Sequence, residues 1–183
     1  VPLICSIQDI KKLNKIFTKF YIETIFHAAA YKHVPLVEMN VTEAIKNNIF
    51  GTQNLVDLSI KFKVKTFTLI SSDKAVRPTS IMGVTKRFAE LICQNASSIN
   101  KSTIISIVRF GNVLASSGSV IPIFENQIKS GGPVTLTDKR IKRFFMTLNE
   151  AAELVIQSSS LSKRGNIFVL NMGKEINILD LAK

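Results

Sequence analysis

Several things are scarce or missing in this chain. Its 183 residues include only two cysteines, Cys5 and Cys93, too few and too far apart for a disulfide framework or a thiolate metal cluster. Both sit in apolar surroundings and read as buried thiols, a usage that suits a reducing cytoplasm. No stretch of about 18 uninterrupted apolar residues occurs, so nothing reads as a membrane span. No signal-peptide pattern opens the chain, no segment repeats and none is low in complexity. The two histidines, His27 and His33, form no convincing ligand set with nearby acids, so no metal site is suggested. Acidic side chains are scarce as well: 13 Asp+Glu stand against 24 Lys+Arg, a formal net charge of +11. Such an excess can serve nucleic acid, anionic lipid or an anionic small substrate. The lysines lie on helices and loops without interleaved aromatics, which argues against nucleic acid.

What is present suffices for one domain of ordinary size, since 46% of the residues are apolar. Val1 to Cys5 reads as the end of a strand. Asp9 to Phe20 carries apolar residues at helical spacing, and Thr24 to Ala28 reads as a short buried strand. Val37 to Ile60 suggests one long helix with a bend near Gly51. Thr66 to Ile70 is a strand, Ile81 to Ala96 a helix and Ile104 to Val108 a β-branched strand. Glycine and proline then cluster. Beyond them the pattern predicts a helix over Val120 to Ile128, a short strand over Thr135 to Thr137, a helix over Asn149 to Ser159 capped by Asn149, and a strand over Ile167 to Leu170. Strands alternating with helices predict a parallel α/β sheet built from βαβ crossovers.

The segment most telling of chemistry follows the strand Thr66 to Ile70. It runs Ser71-Ser72-Asp73-Lys74-Ala75, then Met82-Gly83-Val84-Thr85-Lys86 on the next helix. Reactive side chains at the carboxyl end of a parallel strand are where open α/β sheets place their sites. An adjacent acid and base can supply general acid/base catalysis, each near the other's charge. The Met82-to-Lys86 spacing is the Tyr-x-x-x-Lys spacing of short-chain dehydrogenase/reductases, with methionine in place of tyrosine.

The block from Asp73 to Arg87 resembles the active-site block of nucleotide-sugar 4,6-dehydratases, the CapD-like branch of the extended short-chain dehydrogenase/reductases. Three further blocks agree in family order: His27-Ala28-Ala29-Ala30-Tyr31-Lys32-His33, then Arg109-Phe110-Gly111-Asn112-Val113 running on to Gly118-Ser119-Val120-Ile121-Pro122, then Arg143-Phe144-Phe145-Met146-Thr147. The resemblance implies a Rossmann-type doubly wound parallel sheet, partial here, with a small C-terminal substrate-binding portion. Residues 1–110 would form part of an NAD(P)-binding domain with the active site, and 111–183 would mainly bind nucleotide sugar, the two interleaved. No G-x-G-x-x-G loop is present, and family members carry theirs upstream of the His27 block. The chain is therefore expected to be an internal piece of a longer protein, inactive alone.

The implied reaction converts UDP-N-acetylglucosamine to a 4-keto-6-deoxy sugar nucleotide for surface glycans, with NAD or NADP as cofactor. It needs a base at C4, a base at C5 and an acid at C6. By resemblance Asp73 is the acid for water loss and Lys74 the C5 base, while Ser72 contacts the C4 oxygen. Lys86 would hydrogen-bond the nicotinamide ribose. Met82 occupies the tyrosine position, but a thioether has no acidic proton, so the C4 base is open between Ser72, a water and Asp73. His27, Ala28, Ala29, Ala30 and Ser71 would line the cofactor, with His27 structural rather than basic. Asn48 would brace the active-site strand. Lys32, His33, Asn112, Ser119, Val120, Pro122, Thr135, Thr137 and Arg143 would bind the UDP-sugar, Arg143 as a bidentate phosphate clamp. Ser6 departs from the family's adenine-binding Asp, which speaks against an adenine contact there; NAD against NADP is left open because the loop that would decide it is expected upstream. A homo-oligomer is expected, in the cytoplasm or at the cytoplasmic face of the inner membrane. Two other readings stand beside this one: a UDP-sugar 4-epimerase, and a catalytically dead sugar-nucleotide-binding module suggested by Met82.

Overall fold

The computed structural model describes residues 1–114 and 119–182; Gly118, in the block that begins at Arg109, lies outside them. In chain order the helices are α1 (Ile10–Lys19), α2 (Val34–Met39), α3 (Val41–Ala44), a π-helical stretch (Ile45–Phe50), α4 (Gly51–Lys61), α5 (Ile81–Ile99), α6 (Val120–Lys129), α7 (Leu148–Leu161) and α8 (Ile178–Ala182). The strands are β1 (Thr24–His27), β2 (Thr66–Ile70), β3 (Ile104–Arg109), β4 (Asn112–Val113), β5 (Lys142–Arg143), β6 (Phe145–Met146), β7 (Ile167–Val169) and β8 (Ile176–Asn177). They fall into two compact units, one of 1–109 with 157–169, the other of 110–156 with 170–183.

The first unit holds a parallel sheet in the order β1-β2-β3-β7. Parallel strands are joined by helical crossovers that cover both faces, and the central strands β2 and β3 are buried on both sides. Phe67 and Leu69 of β2, with Ile105 and Ile107 of β3, pack against Leu13 and Phe17 of α1, Leu55 and Leu58 of α4, and Ala89 and Cys93 of α5. The alternate residues Thr68 and Ser106 point to the opposite face. There Thr68 donates to Ser159 of α7 at 3.0 Å, so a buried hydroxyl on the sheet finds a partner.

Most predicted elements appear within a residue or two of their expected bounds, and the differences have local causes. Val1 to Cys5 forms no strand because no ladder partner runs beside it among the described residues; Cys5 and Ile7 pack against the core instead. The helix expected over Val37 to Ile60 is interrupted at Asn40 (φ −134°) and widens into the π-helical stretch. Gly51 does not bend it. A β-carbon there would stand 2.6 Å from the Ile7 side chain, so glycine serves close packing. Thr135 to Thr137 is not a strand, since the Thr135 amide donates to the Gln127 side chain at 3.1 Å rather than to a ladder. Asn149 lies inside α7. The cap is Thr147, whose hydroxyl accepts from the Glu150 amide while the Glu150 carboxylate accepts from the Thr147 amide, a reciprocal capping box.

The second unit holds two small ladders, β4 parallel to β6 and β5 antiparallel to β8. Among the described residues no helix is long and apolar enough to cross a membrane.

Candidate active site

At the carboxyl end of β2 the chain enters a short 3-10 turn, Asp73–Ala75. Ser72 starts it: its Oγ accepts from the Lys74 amide at 3.2 Å and donates to Asp73 Oδ1 at 2.9 Å. The same oxygen accepts from Lys74 Nζ at 3.0 Å. One carboxylate oxygen thus gathers a hydroxyl and an ammonium group, and the Asp73 and Lys74 side chains are 46% and 37% exposed. That geometry suits proton exchange with a bound molecule, since both groups stay reachable. The turn rests directly on α5. Gly83 packs so closely under the Lys74 carbonyl that no side chain fits between them. Ser80 caps α5 by accepting from the Gly83 amide, and Glu38 of α2 accepts from the Ile81 amide at 2.7 Å.

Lys86 stands one helical turn after Met82 and is buried, its ammonium donating to the Ile70 carbonyl oxygen. Burial lowers its pKa to about 8, opposed by Cys93 and Glu90. Met82 is buried against Val37 and Ala44, where its side chain fills the core and moves no proton. Cys93 is an inert thiol, its pKa pushed up to about 12 by burial.

The β1 end is held by the π-helical stretch. In that wider turn the neighbours Asn47 and Asn48 are both buried. Asn48 accepts from the Tyr31 amide at 2.8 Å and donates to the Tyr31 carbonyl and to Thr85 of α5. Asn47 donates to the Ala29 carbonyl at 2.8 Å. These bonds leave Ala28 and Ala29 exposed as a small-residue ledge, where a flat group can approach backbone. His27 Nδ1 accepts from the Ala29 amide, so Nε2 carries the proton and donates to Thr52 Oγ1 at 2.8 Å. Burial, with the Lys86 charge nearby, lowers its pKa to about 4, and it stays neutral. Ser71 is buried and turned inward, donating to Glu90 at 2.6 Å. Lys32 is exposed, and His33 occupies the N-cap position of α2 without capping it.

Glu90 is absent from the sequence reading, yet it organises this end of the sheet. Fully buried, it accepts two hydrogen bonds from Arg109 at 2.7 Å, one from Ser71 and one from Arg87. Burial pushes its carboxyl up, but hydrogen bonds from Arg109, Ser71 and Arg87 outweigh that and hold it below the ordinary range. Its position one turn after Lys86, on the same helix face, was the signal available.

In the second unit, Asn112, Ser119, Val120, Thr135, Thr137 and Arg143 line one cavity of about 320 Å³, with Phe124, Ile141 and Phe145 among its apolar walls. Pro122 sits in the first turn of α6, outside that lining. The Ser119 hydroxyl is buried with no hydrogen-bond partner among the described residues, a donor that a ligand oxygen would satisfy. Among the described residues no cluster of His, Cys, Asp or Glu gathers for a metal ion.

Comparison with known proteins gives these arrangements a context. The family model described as "Polysaccharide biosynthesis protein" matches residues 1–183. The capsular polysaccharide biosynthesis protein CapD of Staphylococcus aureus is 49% identical over 183 residues, covering 100% of this chain and 31% of CapD. A UDP-glucose 4-epimerase of Rickettsia canadensis is 40% identical over 151 residues, 81% of this chain and 44% of the epimerase. The chain thus spans under a third of one relative and under half of the other. Among solved structures, Pen from Bacillus thuringiensis superposes with a TM-score of 0.92 at 42% identity, over 98% of this chain and 57% of Pen. The dTDP-glucose 4,6-dehydratase DesIV of Streptomyces venezuelae, solved with NAD bound, superposes at 0.90 with 19% identity, over 97% of this chain and 60% of DesIV, a likeness of fold.

Proposed function

This chain belongs to the polysaccharide biosynthesis protein family, within the extended short-chain dehydrogenase/reductases, and we propose that it carries the acid/base machinery of a UDP-N-acetylglucosamine 4,6-dehydratase. The observation that carries the proposal is Asp73 Oδ1 bonded to both Ser72 and Lys74 at an exposed strand end. An epimerase interconverting C4 has no use for an elimination pair. With Met82 in the core, Ser72 passes the C4 proton along its bond to Asp73, and Asp73 gives it to the departing C6 hydroxyl. Lys74, exposed enough to release its ammonium proton to solvent, removes the C5 proton as the neutral amine. NAD or NADP fits the exposed Ala28–Ala29 ledge, where Lys86 would hold the ribose side; bound, it accepts and returns hydride. The cavity with Ser119 and Arg143 takes the uridine diphosphate. Phe50, Phe88 and Leu91 stay exposed on helices suited to subunit pairing, which supports a homo-oligomer.

The 4-epimerase reading has one observation in its favour, the identity shared with the Rickettsia epimerase. Proton NMR of the full-length protein with UDP-N-acetylglucosamine and cofactor in heavy water separates the readings. A new C6 methyl signal with deuterium at C5, lost in Asp73→Asn, is expected. The galacto isomer without a methyl signal means epimerase. Binding without turnover means a dead module.

A further inference from the structure

All four strands of the first unit's sheet run parallel, so their amino ends share one edge, opposite to the edge that bears Asp73. Four helix-to-strand turns meet there: α1 to β1, α4 to β2, α5 to β3 and α7 to β7. Each carries exposed cations, Lys19 on the first, Lys61, Lys63 and Lys65 on the second, Lys101 on the third, and Lys163 and Arg164 on the fourth. The only acid within these turns is Glu23, paired with Lys65. Lysines at helix ends also favour the helix dipole, but that accounts for Lys19 and Lys61 alone.

Three of the turns also expose a large apolar side chain. Tyr21 is 82% exposed, Ile99 74% and Leu161 72%. Apolar groups set among cations on one edge are what a surface needs to enter the headgroup layer of a membrane: the cations meet anionic lipid and the apolar tips displace interfacial water. Single-stranded nucleic acid would need several open aromatic faces in a row for stacking, and Tyr21 alone offers one. Phe20 and Phe62, which flank this edge, each have a lysine ammonium 5.4 and 5.1 Å from the ring centroid instead.

We propose that the amino edge of the sheet is a docking surface for an anionic lipid membrane, holding the catalytic edge away from it. Vesicle co-sedimentation of the full-length protein tests this, with vesicles of phosphatidylcholine alone and with about a third phosphatidylglycerol. Wild type is expected to bind the anionic vesicles at least tenfold tighter, and rising salt should weaken that binding. The triple variant Lys63→Glu, Lys101→Glu, Lys163→Glu should lose about a hundredfold on anionic vesicles, at roughly tenfold or less per charge, with its thermal melt and turnover unchanged. Tyr21→Ser with Ile99→Ser should weaken binding without altering the salt dependence. Equal binding to both vesicle types, or a triple variant that binds like wild type, overturns the assignment. So does tighter binding to a single-stranded oligonucleotide than to the vesicles.

Discussion

Gly83 and the Lys74 carbonyl touch so closely that the Asp73–Ala75 turn and the first turn of α5 form one packed piece. Gly83→Ala must therefore move backbone, and a backbone oxygen gives way less readily than a flexible side chain. The variant is expected to lose about 1–3 kcal/mol of stability and at least tenfold in turnover, because Asp73 and Lys74 shift with the turn. Thermal melts and steady-state rates check the two effects together.

The buried pair of Glu90 and Arg109 makes a second prediction. Glu90→Leu strands a half-buried guanidinium and is expected to cost about 3–5 kcal/mol, measured by urea unfolding. Arg109→Met should cost less, because Arg87 and Ser71 still bond the carboxylate. The double variant should cost less than the two single costs combined, because neither charge is left alone.

Two buried bases give the same sign of pH dependence in two separate windows, stability rising with pH in each. His27 has a folded pKa of about 4 against 6.5 for the free side chain. As pH falls from 6.5 toward 4 the unfolded chain takes up a proton that the folded chain refuses, so stability falls. The loss reaches about 3 kcal/mol at roughly 1.4 kcal/mol per pH unit, and His27→Gln should remove it. Lys86 has a folded pKa of about 8 against 10.5. Below pH 8 both states hold the proton and the burial penalty is fully present. As pH rises from 8 to 10.5 only the unfolded chain holds it, so the folded chain gains. Unfolding curves for wild type and Lys86→Met across both ranges read these slopes directly.

In the second unit, Arg143→Ala is expected to weaken uridine diphosphate binding to the full-length protein by about ten- to a hundredfold, the worth of a charge-assisted hydrogen bond. Titration calorimetry measures it, and Ser119→Ala should give a smaller loss.

What could be read in advance depended on how local the cause was. β2, β3 and α5 announce themselves because a buried strand or an amphipathic helix needs apolar residues at its own period. The cavity residues were reachable through their motifs, and six of the seven expected in the second unit share one lining. Tertiary causes were hidden. Nothing local marks Asn40 as a break, Thr135 as a partner of a glutamine eight residues earlier, or Glu90 as the acceptor for a strand arginine. Met82 was legible as an odd residue in a familiar place, but only its packing against Val37 and Ala44 shows that it fills space.

The π-helical stretch sets a constraint of a different kind. Its wider turn, marked by the Gly51 amide bonding back five residues to the Lys46 carbonyl, brings Asn47 and Asn48 inward together. Removing one residue would restore an ordinary helix and rotate everything before it by roughly 100° relative to α4. Tyr31 and Ala29 would lose their anchors while composition stayed almost unchanged. In this part of the chain, length is under tighter control than identity: a substitution at an exposed position such as Lys46 is tolerable, whereas a one-residue deletion beside it is not.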